Sequence, residues 1–163
     1  MCLFYTKNER CCSLLAPTDG KIISVYDIPD KILSSGAVGE GFAVWSSNNI
    51  VCAPVSGIIS DISDGLNDYT ITTEEGAEIF IRIGLRSDKL LGDGLRPLVI
   101  PKQKVGVGTP ICSYDPGIFS SNDVSELVAV ILINSELFKE ITVFEGECRN
   151  SESVAMSFAP IAK

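Results

Sequence analysis

Apolar residues along this chain recur with a period of two far more often than with the three-to-four spacing of a helix face. The clearest case is the stretch 79–95, IFIRIGLRSDKLLGDGL, where Ile79, Ile81 and Ile83 alternate onto one face before Gly84 breaks the pattern. Asp88, Gly92, Asp93 and Gly94 then form an acidic, glycine-rich crossing. Runs at 42–46, 69–73, 77–83, 111–114, 127–133, 141–144 and 154–158 predict further strands. The polar step Glu74-Glu75-Gly76 predicts a hairpin, with glycine available for a positive φ. Residues 28–33, with Pro29 near their start, predict a short helical turn. Short strands at such regular intervals describe an all-β antiparallel sandwich or barrel with short helical turns.

Two segments echo one another. Ala16-Pro17-Thr18-Asp19-Gly20 precedes Ile22-Ile23, and Ala53-Pro54-Val55-Ser56-Gly57 precedes Ile58-Ile59. In each, proline fixes an extended approach, glycine permits a tight turn and the isoleucines start a strand. Val105-Gly106-Val107-Gly108-Thr109-Pro110-Ile111 is a weaker third relative. The spacings are too irregular for a solenoid and fit one closed core of the duplicated hybrid-motif kind.

Composition narrows the classes. A chain of 163 residues with 45% hydrophobic content suits one domain, which at this length buries about 70% of its unfolded-state surface. Thirteen basic against twenty-one acidic residues give a net charge of −8, which disfavours nucleic acid and anionic lipid and favours basic partner surfaces. No apolar run approaches the roughly 20 residues that cross a bilayer. The opening MCLFYTKNER sets its apolar residues before its charges, so neither a signal peptide nor stable membrane insertion is expected. Residues 1–13 read as an N-terminal tail ahead of a domain at 14–163.

The cysteines are Cys2, Cys11, Cys12, Cys52, Cys112 and Cys148, with no Cys-x-x-Cys pair and no histidine anywhere. Zinc therefore lacks its usual mixed ligand set, and no metal site or cofactor is expected. Most of the thiols are expected reduced, which points to the cytoplasm.

From about residue 15 to 158 the ordered motifs resemble the glucose-type IIA domains of the bacterial phosphoenolpyruvate-dependent sugar phosphotransferase system. The resemblance rests on the Ala-Pro-x-x-Gly opening, Asp27-Ile28-Pro29-Asp30, Gly39-Glu40-Gly41-Phe42-Ala43-Val44, and the second Ala-Pro-x-x-Gly. It continues through the hairpin, Arg82-Ile83-Gly84, Leu91-Gly92-Asp93-Gly94-Leu95 and Val105-x-x-Gly108. It implies an antiparallel β-sandwich whose apolar face carries two histidines and docks first a phosphocarrier protein, then a sugar permease domain. A sugar kinase is a further partner implied by the resemblance.

This chain departs from that pattern where the family's chemistry lies. The resemblance sets Arg82 at the phosphoacceptor position and the second histidine near Asp68, in Leu66-Asn67-Asp68-Tyr69. A guanidinium stays protonated and has no nucleophilic lone pair, so Arg82 cannot accept a phosphoryl group. The family's hydrophobic-Asp-Thr step reads Leu85-Arg86-Ser87, a cation in place of a carboxylate.

Arg82 could bind an anion or pair with Asp68, and pairing is favoured. Asp68 as an aspartyl-phosphate acceptor would need a magnesium cluster, and Cys52 or Cys112 as acceptor competes with the plainer reading of buried thiols. Lys89 is expected as a surface lysine, and Trp45 as sheet or core packing. The leading expectation is a catalytically silent binding or regulatory module with no catalytic residue of its own. Its binding face is expected to comprise Glu40, Phe42, Val44, Asn67, Asp68, Arg82, Ile83, Leu85 and Arg86. The alternatives are a working phosphotransferase component with a non-histidine acceptor, and a structural module of a sugar-transport assembly.

Overall fold

The computed structural model describes residues 11–161. Cys2 and residues 1–10 of the expected tail lie outside the described residues, as do 162–163. In chain order the first half contains β1 (Cys12–Leu15), β2 (Gly20–Ser24), α1 (Lys31–Ser34), β3 (Glu40–Ser46), β4 (Ile50–Cys52), β5 (Gly57–Ile62) and β6 (Asp68–Thr72). Then come β7 (Glu78–Leu85), β8 (Leu95–Pro97), β9 (Lys104–Val105), β10 (Pro110–Tyr114) and α2 (Pro116–Ser121). The last strands are β11 (Ser125–Leu132), β12 (Phe138–Val143), β13 (Gly146–Cys148) and β14 (Val154–Pro160). The tail boundary moves accordingly: Cys12 and Ser13 are strand residues, paired with Phe158 and Ser157.

An eight-stranded sheet in the order β13-β2-β3-β11-β7-β6-β5-β9 packs against two three-stranded sheets, β1-β14-β12 and β4-β10-β8. The large sheet ends at β13 and β9 and does not close, so the fold is an antiparallel sandwich and not a barrel. Between the layers lies the main core, with Phe42, Val44, Tyr69, Ile71, Ile79, Ile81 and Ile83 from the large sheet against Leu14, Ile111 and Phe158.

A second apolar cluster covers the other face of the same sheet. Ala43, Leu127, Ala129 and Ile131 meet Val25, Ile28 and Leu33 from the segment around α1. That helix begins at Lys31 because Asp30 caps it, its side chain accepting from the backbone N–H groups of Ile32 and Leu33. Pro29 therefore precedes the helix. With both faces covered, β3 and β11 are buried continuously over most of their length.

The duplicated Ala-Pro segments face each other in the fold. Leu15 N donates to Pro54 O at 2.9 Å and Cys52 N donates to Pro17 O at 2.7 Å, a reciprocal exchange that matches the repeated sequence. Gly20 and Gly57 then pass under partner-strand carbonyls, where an added Cβ would meet Trp45 O at 1.9 Å and Thr72 O at 2.5 Å.

Burial overturns part of the expected binding face. Phe42, Val44 and Ile83 are 0% exposed and Leu85 is 7% exposed, so all four are core residues. Their alternation is real, but it points Phe42, Val44 and Ile83 at the smaller sheets. Leu85 departs even from the alternation, because Gly84 at φ +91° kinks the end of β7 and sends Leu85 into the outer cluster. Trp45, expected in packing, is 40% exposed near the end of β3.

Candidate functional site

The β6–β7 ladder sets Asp68 directly across from Arg82. Their side chains form a bidentate pair, with Arg82 Nε donating to Asp68 Oδ1 at 2.8 Å and an Nη donating to Oδ2 at 2.9 Å. The guanidinium also lies 5.4 Å from the centroid of the Phe80 ring, which is two residues earlier on the same face of β7. Arg82 and Asp68 side chains are 34% and 20% exposed. Solvent screening at that exposure limits the pair to on the order of 1 kcal/mol of stability.

Local structure below the pair fixes its geometry. Leu66 adopts φ +62°, and Ser63 N donates to Asp68 O while Ser63 Oγ accepts from Asp68 N. Asn67 is 3% exposed, and both its amide oxygen and its amide nitrogen are hydrogen-bonded. It accepts from Ser63 Oγ at 3.0 Å and donates to Ser87 Oγ at 3.0 Å, and Ser87 in turn donates to Gly84 O. Asn67 is thus a buried brace and not a surface contact, correcting its place on the expected face. The brace ties the approach to β6 to the kinked exit of β7.

The electrostatics are those of a filled site. The Asp68 hydrogen bond holds the Arg82 guanidinium even further towards its charged form, burial opposes this, and the Asp68, Asp88 and Asp30 charges add to the upward shift. A cation already matched by one carboxylate and flanked by two more has little attraction left for an incoming anion. Asp68 has both oxygens occupied.

Arg86 is exposed at φ +67°, ahead of the one-turn 3-10 helix Ser87–Leu90 that carries exposed Lys89. The carboxylate of Glu40 accepts from the Tyr26 hydroxyl. The structure thus joins Arg82 with Asp68 and braces them through Asn67, while Phe42, Val44, Ile83 and Leu85 serve the core. The sequence motifs single out neither Phe80 nor Ser63, and Ser87 only within the Leu85-Arg86-Ser87 step. The i−2 spacing of Phe80 from Arg82 was available as a signal, whereas the serine brace depends on the kink at Gly84.

The thiols show no sign of activation. Cys52, Cys112 and Cys148 are 4%, 0% and 7% exposed, and burial pushes each thiol up, away from the thiolate. These three form no disulfide, whereas Cys11 is disulfide-bonded. Among the described residues no group of three or more His, Cys, Asp or Glu side chains is arranged to hold a metal ion. None of the described helices is long and apolar enough to cross a membrane.

Residues 12–138 match the family described as phosphoenolpyruvate-dependent sugar phosphotransferase system, EIIA 1. This chain belongs to that family. The glucose-specific EIIA component of Buchnera aphidicola (Acyrthosiphon pisum) is 32% identical over 150 residues, covering 92% of this chain and 93% of that protein. Its Haemophilus influenzae counterpart is 28% identical over 157 residues, or 95% of each. An N-acetylglucosamine-specific EIICBA component of Klebsiella pneumoniae is 31% identical over 131 residues, 80% of this chain but 20% of that longer protein. Among solved structures, glucose permease IIA from Mycoplasma capricolum superposes with a TM-score of 0.86 at 28% identity, covering 94% of this chain and 99% of that one. The structural match thus covers more of the chain than residues 12–138 do.

Proposed function

We propose that this EIIA-family chain is a sugar-transport module that no longer carries phosphate and acts in the cytoplasm by binding proteins. The observation that carries the reading is the bidentate Asp68–Arg82 pair, at the position where the family resemblance expects imidazole chemistry, in a chain without a histidine. Phosphoryl transfer through a side chain requires a nucleophile with a free lone pair. The groups gathered here are a guanidinium, a fully bonded carboxylate and two hydroxyls spent on hydrogen bonds.

The partners that fit are those implied for the family: the phosphocarrier protein, a sugar permease domain or a sugar kinase. Relatives in which an EIIA region forms about a fifth of an EIICBA or EIIBCA component are consistent with a permease domain. The surface available to them includes exposed Ile32 on α1, partly buried Phe80 and exposed Arg86. A cation at Arg86 disfavours a basic phosphocarrier and suits an acidic contact.

The test is direct. The purified chain is incubated with phosphoenolpyruvate, enzyme I and the histidine phosphocarrier beside a histidine-containing EIIA, and intact mass is read at neutral pH. Mass gain in the control alone is the expected result. Gain of one phosphoryl group by this chain would overturn the proposal in favour of a working component with an aspartate or cysteine acceptor.

A further inference from the structure

We propose that the small β4-β10-β8 sheet carries a binding site for the carboxylate or phosphate monoester group of a small molecule, with Arg96 and Ser113 as its donors. A hollow of about 440 Å³ lies where β8, β10 and the start of α2 meet, a size within the range of small-molecule sites, roughly 300 to 1,000 Å³. Asn49, Arg96, Ser113, Tyr114 and Asp115 are among the residues that line it. Arg96 and Ser113 are paired across the β8–β10 ladder, and Ile50 faces Ser113 from β4. Directly opposed residues of an antiparallel pair point to the same face, with Cβ atoms about 5 Å apart. The guanidinium and the hydroxyl therefore share one side of the sheet, within reach of a single anionic group. Ile50, 41% exposed, gives the body of such a molecule an apolar neighbour.

One contrast selects the ligand: the walls are bonded and the donors are not. Asn49 Nδ2 donates to Tyr114 O at 3.1 Å, while Tyr114 N donates to Asn49 O at 3.0 Å. The Tyr114 ring stacks on Phe119 with centroids 4.5 Å apart, and its hydroxyl donates to Glu126 Oε1 at 2.8 Å. Asp115 Oδ1 accepts from the N–H groups of Gly117 and Ile118, so its carboxylate is engaged and the start of α2 is closed to any other anion. Against these fixed walls, the side chains of Arg96 and Ser113 have no hydrogen bond or ion pair among the described residues. A planar guanidinium grips a carboxylate or a phosphate through two parallel bonds, and a neighbouring hydroxyl supplies a third. The net charge of −8 does not forbid this, because the field of distant carboxylates is screened beyond about 8 Å at physiological ionic strength. The hollow lies in a different layer from β6 and β7, so its occupancy is independent of whether the chain accepts phosphate.

Phenyl phosphate, benzoate and benzyl alcohol offer one ring with a phosphate, a carboxylate or a neutral head. Each is titrated into the isotope-labelled full chain at constant ionic strength, and amide NMR shifts are followed. Saturable shifts at Asn49, Arg96, Ser113 and Asp115 are expected with phenyl phosphate or benzoate at millimolar concentration, and none with benzyl alcohol. The tighter of the two anions identifies the head group the site takes. Arg96→Gln keeps a polar side chain and removes the charge, and is expected to weaken that anion at least about fivefold. Ser113→Ala is expected to weaken it about threefold. Unchanged amide shifts away from the hollow verify that both variants are folded. The absence of saturable shifts with both anions, equal shifts with benzyl alcohol, shifts clustered elsewhere, or an affinity unchanged in either variant overturns the proposal.

Discussion

A guanidinium held by a carboxylate on the facing strand is a stable end state, and its persistence decides what a single substitution can achieve. Arg82→His would place an imidazole opposite Asp68, within the reach of Asp88 and Asp30. A neighbouring carboxylate raises an imidazole pKa by about 1 to 3 units. Near neutrality most of the ring would then be protonated and lack the lone pair that attacks phosphorus. Arg82→His is expected to accept phosphoryl groups at least about tenfold more slowly than a histidine-containing EIIA. Removing the Asp68 carboxylate as well should recover part of that deficit, measured as phosphorylated mass against time. A rate equal to the control in the single variant would show that the carboxylates exert no such hold.

At the scale of elements, the kink ending β7 organises the site more than the strand itself does. Gly84 sits at φ +91°, and an added Cβ would meet Phe119 Cε2 and Val124 Cγ1, each at 2.9 Å. Its carbonyl accepts from Ser87, which holds Asn67. Gly84→Ala therefore combines a disfavoured backbone with overpacking against α2 and is expected to cost about 2 to 3 kcal/mol. Urea denaturation measures it, and a loss within about 0.5 kcal/mol would mean the kink relaxes freely.

The same kink marks the limit of what sequence periodicity could tell. Strand positions and the β6–β7 hairpin follow from alternation and turn chemistry, whereas the Asp68–Arg82 pairing follows from the family resemblance, which sets opposite charges at its two histidine positions. Which face is wet does not follow when helices and small sheets cover both, and alternation alone therefore leaves Phe42, Val44 and Ile83 as candidates for a binding face that the structure buries. The flip of Leu85 needs the positive φ of Gly84, which is one option among several for any glycine. The short helix α2 was legible in hindsight, since Asp115 caps it and Pro116 occupies its first turn.

Across the whole molecule, the sandwich stores three thiols and two phenols in its core, and this sets its response to alkali. Burial raises the thiols of Cys52, Cys112 and Cys148. It likewise raises Tyr69 and Tyr114, the latter despite a hydrogen bond with Ser46 that works the other way. A group whose folded pKa lies above its unfolded value stabilises the fold fully below the unfolded pKa. The contribution is lost as pH rises towards the folded one, because the unfolded chain then binds fewer protons. Unfolded thiols titrate near about 8.5 and phenols near about 10. Stability under reducing conditions should therefore hold level to about pH 8 and then fall, with each buried thiol contributing at most about 1.4 kcal/mol per pH unit. Cys112→Ala should flatten that fall between about pH 8.5 and 10 while lowering stability at neutral pH through the cavity it leaves. Urea midpoints across this range decide the matter: a curve that stays level to about pH 10 would mean the thiols titrate as if exposed, and that the sandwich opens around them more readily than its packing implies.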